Sequence, residues 1–207
     1  MLHRSGRTCW RRFAAVLVPS LAAVAALGIG MAQGALAASF FISGQRFQVA
    51  ADTLRAGGLS IYPMVDVTRK GTLVPVVVLG FRHAQIGGLC LSVVIDVPLL
   101  GPFTLLLTGG DGRRVEAANL FIDATSVVAV QADTDDIDIG VAAGAVTKGP
   151  VNPKDRNSRW FDPDVFAQQA QSVVLSDVRV ISVAVSAGTL NVPNLALHIK
   201  QGSHRCF

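Results

Sequence analysis

Apolar and polar residues alternate with a period of two along most of this chain, which is the pattern of β-strands. Phe47, Val49 and Ala51 form one alternating run, and residues 72–81 are β-branched and almost uncharged. The same reasoning predicts further strands at about 91–97, 103–108, 113–120, 120–131, 136–142, 172–186 and 189–200. The body of the chain is therefore expected to be rich in strands.

Breaks between these runs predict turns, one helix and one long loop. Glycines at 109–112 predict a hairpin turn between the strands on either side. Asp162 as an N-cap and Pro163 in the first turn predict a short helix at 162–171. The polar segment 148–158 is expected to be a mobile surface loop. The fold class that follows is all-β: an antiparallel sandwich or a β-roll/half-barrel with one short helix.

The N-terminus has the three parts of an export signal. A stretch with four arginines and no acid precedes a long apolar run that ends in Ala-Leu-Ala. This pattern predicts a signal peptide at 1–37, cleaved between Ala37 and Ala38, and a single extracytoplasmic domain at 38–207. The alternative is an uncleaved membrane anchor from Phe13 to Ala38, since that run is long enough to span a bilayer.

Composition and charge argue against two classes of protein, disordered charged tails and nucleic-acid binders. Of the 207 residues, 51% are hydrophobic and only 15% are charged, which excludes a disordered charged tail protein. The net charge of +4 belongs to the N-terminal arginines, because the remaining 14 basic residues equal the 14 acidic ones. A nucleic-acid partner is therefore not expected.

Three cysteines limit the covalent chemistry of the chain. Cys9 precedes the apolar run, so an exported body keeps Cys90 and Cys206. Two thiols in an oxidising compartment most simply form a disulfide. The alternative is a buried, unreactive Cys90 and a free Cys206. Two distant cysteines and scattered histidines are too few for a zinc site.

Several stretches together resemble an uncharacterised exported family of actinobacteria, whose members often carry an automatic cholesterol esterase label. The stretches are IGMAQGALAASF, SGQRFQVAADTL, GLCLSVV, IDIGVAAG, TKGP, FAQQA and the terminal CF. The resemblance covers nearly the whole chain. It implies residence in the cell envelope, a gene neighbour that encodes a small multi-pass membrane protein, and pairing of Cys90 with Cys206. It implies no catalytic residues.

The esterase label can be compared with the residues that such an enzyme needs. The nucleophile elbow G-x-S-x-G of an α/β-hydrolase is absent from the sequence. Ser60 or Ser92 with His83 is the remaining way to build a serine site on another fold. The alternative is that His83 is an ordinary loop or surface residue.

Two further clusters could form sites. Asp133, Asp135, Asp136 and Asp138 could present oxygens to Ca²⁺, although the spacing is not that of an EF-hand. The alternative is a solvated strand face in which Ile137 and Ile139 point to the core. Arg156, Arg159, Trp160, Phe161 and Phe166 form either an interfacial patch or a group that pins a loop to the core.

The sequence thus predicts an exported envelope protein without evident catalytic machinery. No catalytic, cofactor or metal residue is assigned. The expected partner is a lipid or another apolar ligand, or an integral membrane protein. The alternatives are a lipid (sterol) esterase with a non-standard serine site and a structural protein that associates with itself.

Overall fold

The computed structural model describes residues 43–207, and strands make up most of them. The expected signal or anchor, with Cys9, Ala37 and Ala38, lies outside the described residues. The strands are β1 (Phe47–Val67), β2 (Leu73–Gly87), β3 (Leu89–Val97), β4 (Gly101–Gly109), β5 (Val115–Val128), β6 (Gln131–Ala142), β7 (Phe166–Ser186), β8 (Thr189–Asn191) and β9 (Ala196–Gln201). They form one antiparallel sheet, so the all-β prediction is confirmed.

Four long strands close the sheet into a ring. β1 pairs with β2 on one side and with β7 on the other, and β5 pairs with both β2 and β7. β6 extends the sheet beyond β7, and β8 pairs with the first part of β5. Because the sheet curls back on itself, most backbone groups of the four ring strands find partners on both sides.

Three strands extend away from this ring and are called the wing: β3, β4 and β9. β3 joins the ring where residues 90–92 pair with residues 48–50 of β1. β4 pairs with β3, and β9 pairs with β4. The wing therefore ends in β9, which has one free edge.

Two hydrophobic clusters form the core. One draws on all four ring strands and fills the interior of the ring, with Phe81 among its most buried residues. The other lies between the outer surface of the ring and the segment 143–165, which we call the strap. Among the described residues, the wing strands supply only the half-buried Leu89 to these clusters. The wing is thus built outside the packed core.

The strap is packed tightly against β1 and β7, so the mobile loop predicted at 148–158 is wrong. Ser60 Oγ donates a hydrogen bond of 2.5 Å to Pro150 O. Gln169 Oε1 accepts the backbone N–H groups of Thr147 at 2.7 Å and Lys148 at 2.9 Å. Val151 is buried as well. The backbone of this polar segment finds partners on the sheet and does not stay in solvent.

The helix predicted at 162–171 is also wrong. Asp162 Oδ1 accepts the Asp164 N–H at 3.0 Å, but this closes a turn, and β7 begins at Phe166. Pairing with β6 and β1 on either side outweighs the helix propensity of the following Ala and Gln residues. The capping signature occurs ten residues earlier instead, where Asn152 caps the single helical turn Pro153–Arg156.

Two strand connections differ from the prediction. Residues 109–112 do turn the chain, but β4 and β5 do not pair, so the turn does not form a hairpin. β4 pairs with β9, which follows it by about 90 residues in sequence, and the Gly110 N–H donates to Pro193 O at 2.8 Å. The strand predicted at 189–200 is interrupted between β8 and β9, which pair with different partners.

The closest approach of the strap to the sheet predicts a stability effect at Gly149. A Cβ there would collide with the backbone of Leu59 and Ser60, so Gly149→Ala should lower the free energy of unfolding by about 2 kcal/mol in urea denaturation. Gly57→Ala is the matched control, since a Cβ at Gly57 meets nothing within 4 Å. Equal losses in both variants would contradict the close approach.

Candidate functional site

One face of the wing is mostly apolar, and its polar member is Gln201, which pairs with Phe103 at the end of β9. Antiparallel partners share a face, and the rows Leu91–Leu107–Leu197 and Val93–Leu105–Ile199 run across all three strands. Ile95 and Phe103 extend the face across β3 and β4. None of the eight residues is buried, and Leu197 and Ile199 are 60% and 75% exposed. This face, called the apolar face, has no covering layer among the described residues.

The apolar face continues into the turn between β3 and β4. Leu99 is fully exposed with a φ of 71°, and Leu100 is 64% exposed. The Leu100 N–H donates to Val97 O at 3.1 Å, which closes the turn. Pro98 and Pro102 flank the two leucines. The wing therefore ends in a protruding apolar tip, residues 97–101.

The opposite face of the wing carries both polar and apolar side chains, and its two central hydroxyls are covered. Ser92 and Thr104 are buried there beneath the C-terminal tail, residues 202–207. Thr104 Oγ1 donates to Gly202 O at 2.7 Å and accepts the His204 N–H at 2.9 Å. Ser92 Oγ accepts the Cys206 N–H at 3.1 Å. Hydroxyls are thus buried on this face, while Ile95, Leu197 and Ile199 are exposed on the other.

A disulfide holds the tail in this place. Cys90 lies on the tail side of β3 and is bonded to Cys206, with Cα atoms 5.9 Å apart. Phe207 packs next to Arg179 of β7, whose Cζ lies 5.8 Å from the ring centroid. The end of the chain thus connects the wing to the ring by a route other than the β1–β3 pairing.

Removing the disulfide should release the tail. The double variant Cys90→Ser, Cys206→Ser should lose up to about 4–5 kcal/mol of unfolding free energy from loop-closure entropy. Amide hydrogens of residues 204–206 should then exchange at rates typical of a free chain end. Ser203→Ala, at an exposed position of the tail, serves as control. Protection of these amides in the double variant would contradict the assigned role of the disulfide.

The serine and histidine candidates do not come together. Ser60 is buried beneath the strap, and its partner across the sheet is Gly80, three positions away from His83. Ser92 is buried beneath the tail and pairs with Gln48 of β1, which lies nine positions before Gly57, the partner of His83. Within the described residues, no serine hydrogen-bonds to a histidine, so these residues give no support to a serine esterase site.

Buried carboxyl groups gather beneath the strap. The Tyr62 hydroxyl donates to Asp155 Oδ2 at 2.7 Å and accepts the Asn152 N–H at 3.1 Å. Asp66 on β1 and Asp123 on β5 lie near enough to influence each other electrostatically, and each has one buried oxygen without a hydrogen-bond partner. This set of residues is called the acid cluster.

Burial determines the protonation of the acid cluster. Loss of hydration raises the pKa of Asp66 to about 6 and that of Asp123 to about 8, and the neighbouring carboxylates add to both shifts. Burial also raises the pKa of Asp155 and of the Tyr62 phenol above their usual ranges. The Lys154 ammonium acts in the opposite direction on Asp123 and Asp155. At neutral pH Asp123 is therefore mainly protonated.

The acid cluster predicts that stability decreases with pH. Between pH 3.8 and about 8 the folded protein holds more protons than the unfolded chain, so the unfolding free energy should be highest near pH 4 and fall until about pH 8. Asp123→Asn cannot ionise, and it should flatten this dependence and be more stable than the parent at pH 9. Urea denaturation across this range measures it, with Asp111→Asn in an exposed turn as control. A parent protein that gains stability from pH 5 to pH 8 would contradict the shifts.

The aspartate cluster of β6 forms ion pairs. Lys148 Nζ lies 2.7 Å from Asp136 Oδ1 and 2.8 Å from Asp138 Oδ2. The prediction that Ile137 and Ile139 face the core is wrong, since they are 42% and 66% exposed. β6 is the last strand of the sheet beyond β7, and its ion pairs with the strap are made by Asp136 and Asp138. In the described part of the chain, no three His, Cys, Asp or Glu residues are arranged to hold a metal ion.

The aromatic group near residue 160 holds the strap in place. Phe161 packs edge-on against Tyr62, with ring centroids 6.0 Å apart. Trp160 packs against the outer core cluster, with Arg159 Cζ 4.8 Å from its ring centroid. Phe166 is exposed at the start of β7. Of the two interpretations considered for this group, pinning of a loop to the core fits the Trp160 and Phe161 contacts.

A shallow groove of about 420 Å³ lies across β2, β5 and β8. His83, Gln85, Glu116 and Asn191 line it, and Arg114 Nη1 donates to Gln85 Oε1 at 3.0 Å. The groove is open and is lined by polar and apolar side chains, and no nucleophile hydrogen-bonds to a base among them. It offers less to a specific ligand than the apolar face does.

The apolar face was missed at the level of sequence because its rows join distant segments. Each strand shows the necessary alternation, as in Leu197, His198 and Ile199. Only the pairing of β4 with β3 and with β9 places the three alternating strands side by side, so that their apolar positions form one face. The acid cluster has no sequence signal, since Asp66, Asp123 and Asp155 stand in unrelated contexts.

Comparisons with known proteins identify a family and no characterised relative. Within the described residues, no helix has the length and apolar character needed to cross a membrane. No curated protein and no solved structure matches the chain. A family of unknown function, DUF6230, matches residues 43–207, which is the whole of the described fold. The chain therefore belongs to this family of unknown function.

Proposed function

We propose that this chain is an exported cell-envelope protein that acts by binding, and that the apolar face of the wing is its binding surface for an apolar partner. The observation that carries the proposal is a patch of eight apolar side chains across three strands, three exposed and five half-buried, that no layer covers within residues 43–207. Contiguous exposed apolar patches on soluble domains mark sites of contact with proteins, ligands or membranes. Leu197 and Ile199 are the two most exposed of the eight side chains.

The cost of this exposure supports a binding role. Apolar surface is stabilised by about 25 cal/mol for each Å² that is removed from water. The tail buries part of the opposite face of the wing through three hydrogen bonds and a disulfide, while no described residue covers the apolar face. Apolar surface gains free energy when it is removed from water, whereas polar surface loses its hydration. Binding of a partner over the apolar face would therefore be favourable.

The proposed location rests on two features. The Cys90–Cys206 disulfide is compatible with an oxidising compartment outside the cytoplasm. The N-terminal pattern of basic residues, apolar run and Ala-Leu-Ala supports export, whether the segment is cleaved after Ala37 or kept as an anchor. Self-association through the apolar face is the competing proposal from the same observation.

The proposal can be tested with an anilinonaphthalene sulfonate dye, which emits when it binds apolar surface. The double variant Leu197→Ser, Ile199→Ser should reduce the emission roughly threefold, because two of the most exposed side chains of the face are lost. The matched control is Val185→Ser, Leu190→Ser, which removes two exposed apolar residues outside the wing. Circular dichroism checks that both variants are folded.

Emission that falls equally in the two double variants would contradict the proposal, since the apolar face would then bind no better than scattered apolar residues. Dye bound to the N-terminal segment contributes the same background to every variant and cancels in the comparison. A parent protein whose dye binding is abolished on dimerisation at higher concentration would favour self-association.

A further inference from the structure

We propose that the partner of the apolar face is a lipid bilayer, into which the apolar tip at 97–101 inserts. This inference rests on the proposed function, because it names the partner of the same surface. It places the wing against the membrane surface, with the apolar face in contact with acyl chains and the tail-covered face towards water.

The shape of the tip is the first argument. Leu99 and Leu100 extend beyond the sheet, and neither is packed against another part of the described chain. Pro98 and Pro102 on either side remove backbone donors that insertion would leave without partners. An apolar protrusion with few free donors suits a hydrocarbon phase, which provides no hydrogen-bond acceptors.

The entry point of the chain is the second argument. Gln45 Nε2 donates to Val94 O at 2.9 Å, so the chain enters the fold beside β3 of the wing. Four residues, 39–42, separate this entry region from the long apolar run that ends at Ala38. The first described residues thus lie beside the wing, and in a chain that keeps the N-terminal run as an anchor they follow that run closely in sequence.

The placement of charge is the third argument. All eight side chains of the apolar face are uncharged, and the charged residues of the same strands, Asp96 and Lys200, alternate to the covered face. A lipid surface imposes this separation, because a charge that faces the acyl chains is costly. Binding through such a face depends on apolar contact, so it should persist at high salt concentration.

The test uses the full chain reconstituted with phosphatidylcholine vesicles whose acyl chains carry bromine, which quenches tryptophan fluorescence inside the bilayer. Leu99→Trp places a reporter on the tip, and Leu100→Trp repeats the measurement at the neighbouring exposed position. Leu190→Trp on β8 is the matched control, since it is exposed but lies outside the wing. The unsubstituted chain gives the background from Trp10 and Trp160.

The emission added by Leu99→Trp should fall to about half or less in brominated vesicles, in low and in high salt, while that of Leu190→Trp should be unchanged. Equal emission from the tip reporters in brominated and ordinary vesicles would overturn the inference. If the dye experiment still assigns binding to the apolar face, the proposed function stands and its partner is not lipid. Sedimentation that shows a dimer with the tip reporters shielded from quenching would overturn the lipid assignment in favour of a second copy.

Discussion

The pairing between β1 and β7 is the constraint on which the rest of the structure depends. It joins residues 47–61 of the first strand to residues 168–182 near the end of the chain and closes the sheet into a ring. Closure creates the interior that Phe81 and its neighbours fill, and it leaves an outer surface on which the strap can pack. It also explains why the wing remains open, because β1 offers β3 only a short edge where β2 has not yet begun to pair.

Much of the strand content could be predicted from local alternation, but the connections could not. Asp96 and the nearby glycine and prolines predicted that this apolar stretch divides into two strands, and the structure confirms both β3 and β4. The turn at 109–112 was visible, whereas the partner of β4 was not, since β9 is distant in sequence. The helix prediction failed because Asp162 and Pro163 begin a turn as readily as a helix, and sheet pairing decided between them.

The two candidate regions differ in how the protein deals with an unfavourable environment. In the acid cluster, carboxyl groups are removed from water and respond by keeping their protons, so the strap stays docked without a counter-ion for each one. In the wing, apolar groups are left in water and have no comparable response, because a leucine cannot change its state. The first problem is solved within the described residues, and the second is the one that the proposed lipid contact would solve.

The position of Cys206 has a consequence for the timing of assembly. Cys206 follows Cys90 by 116 residues, so the bond cannot form until the strands between them have been synthesised. The same holds for β9, which adds the outer row of the wing. The ring strands β1, β2 and β5 can pair earlier, while the surface with the most exposed leucines is the last to be finished. The apolar face is therefore completed only after the ring strands have been synthesised.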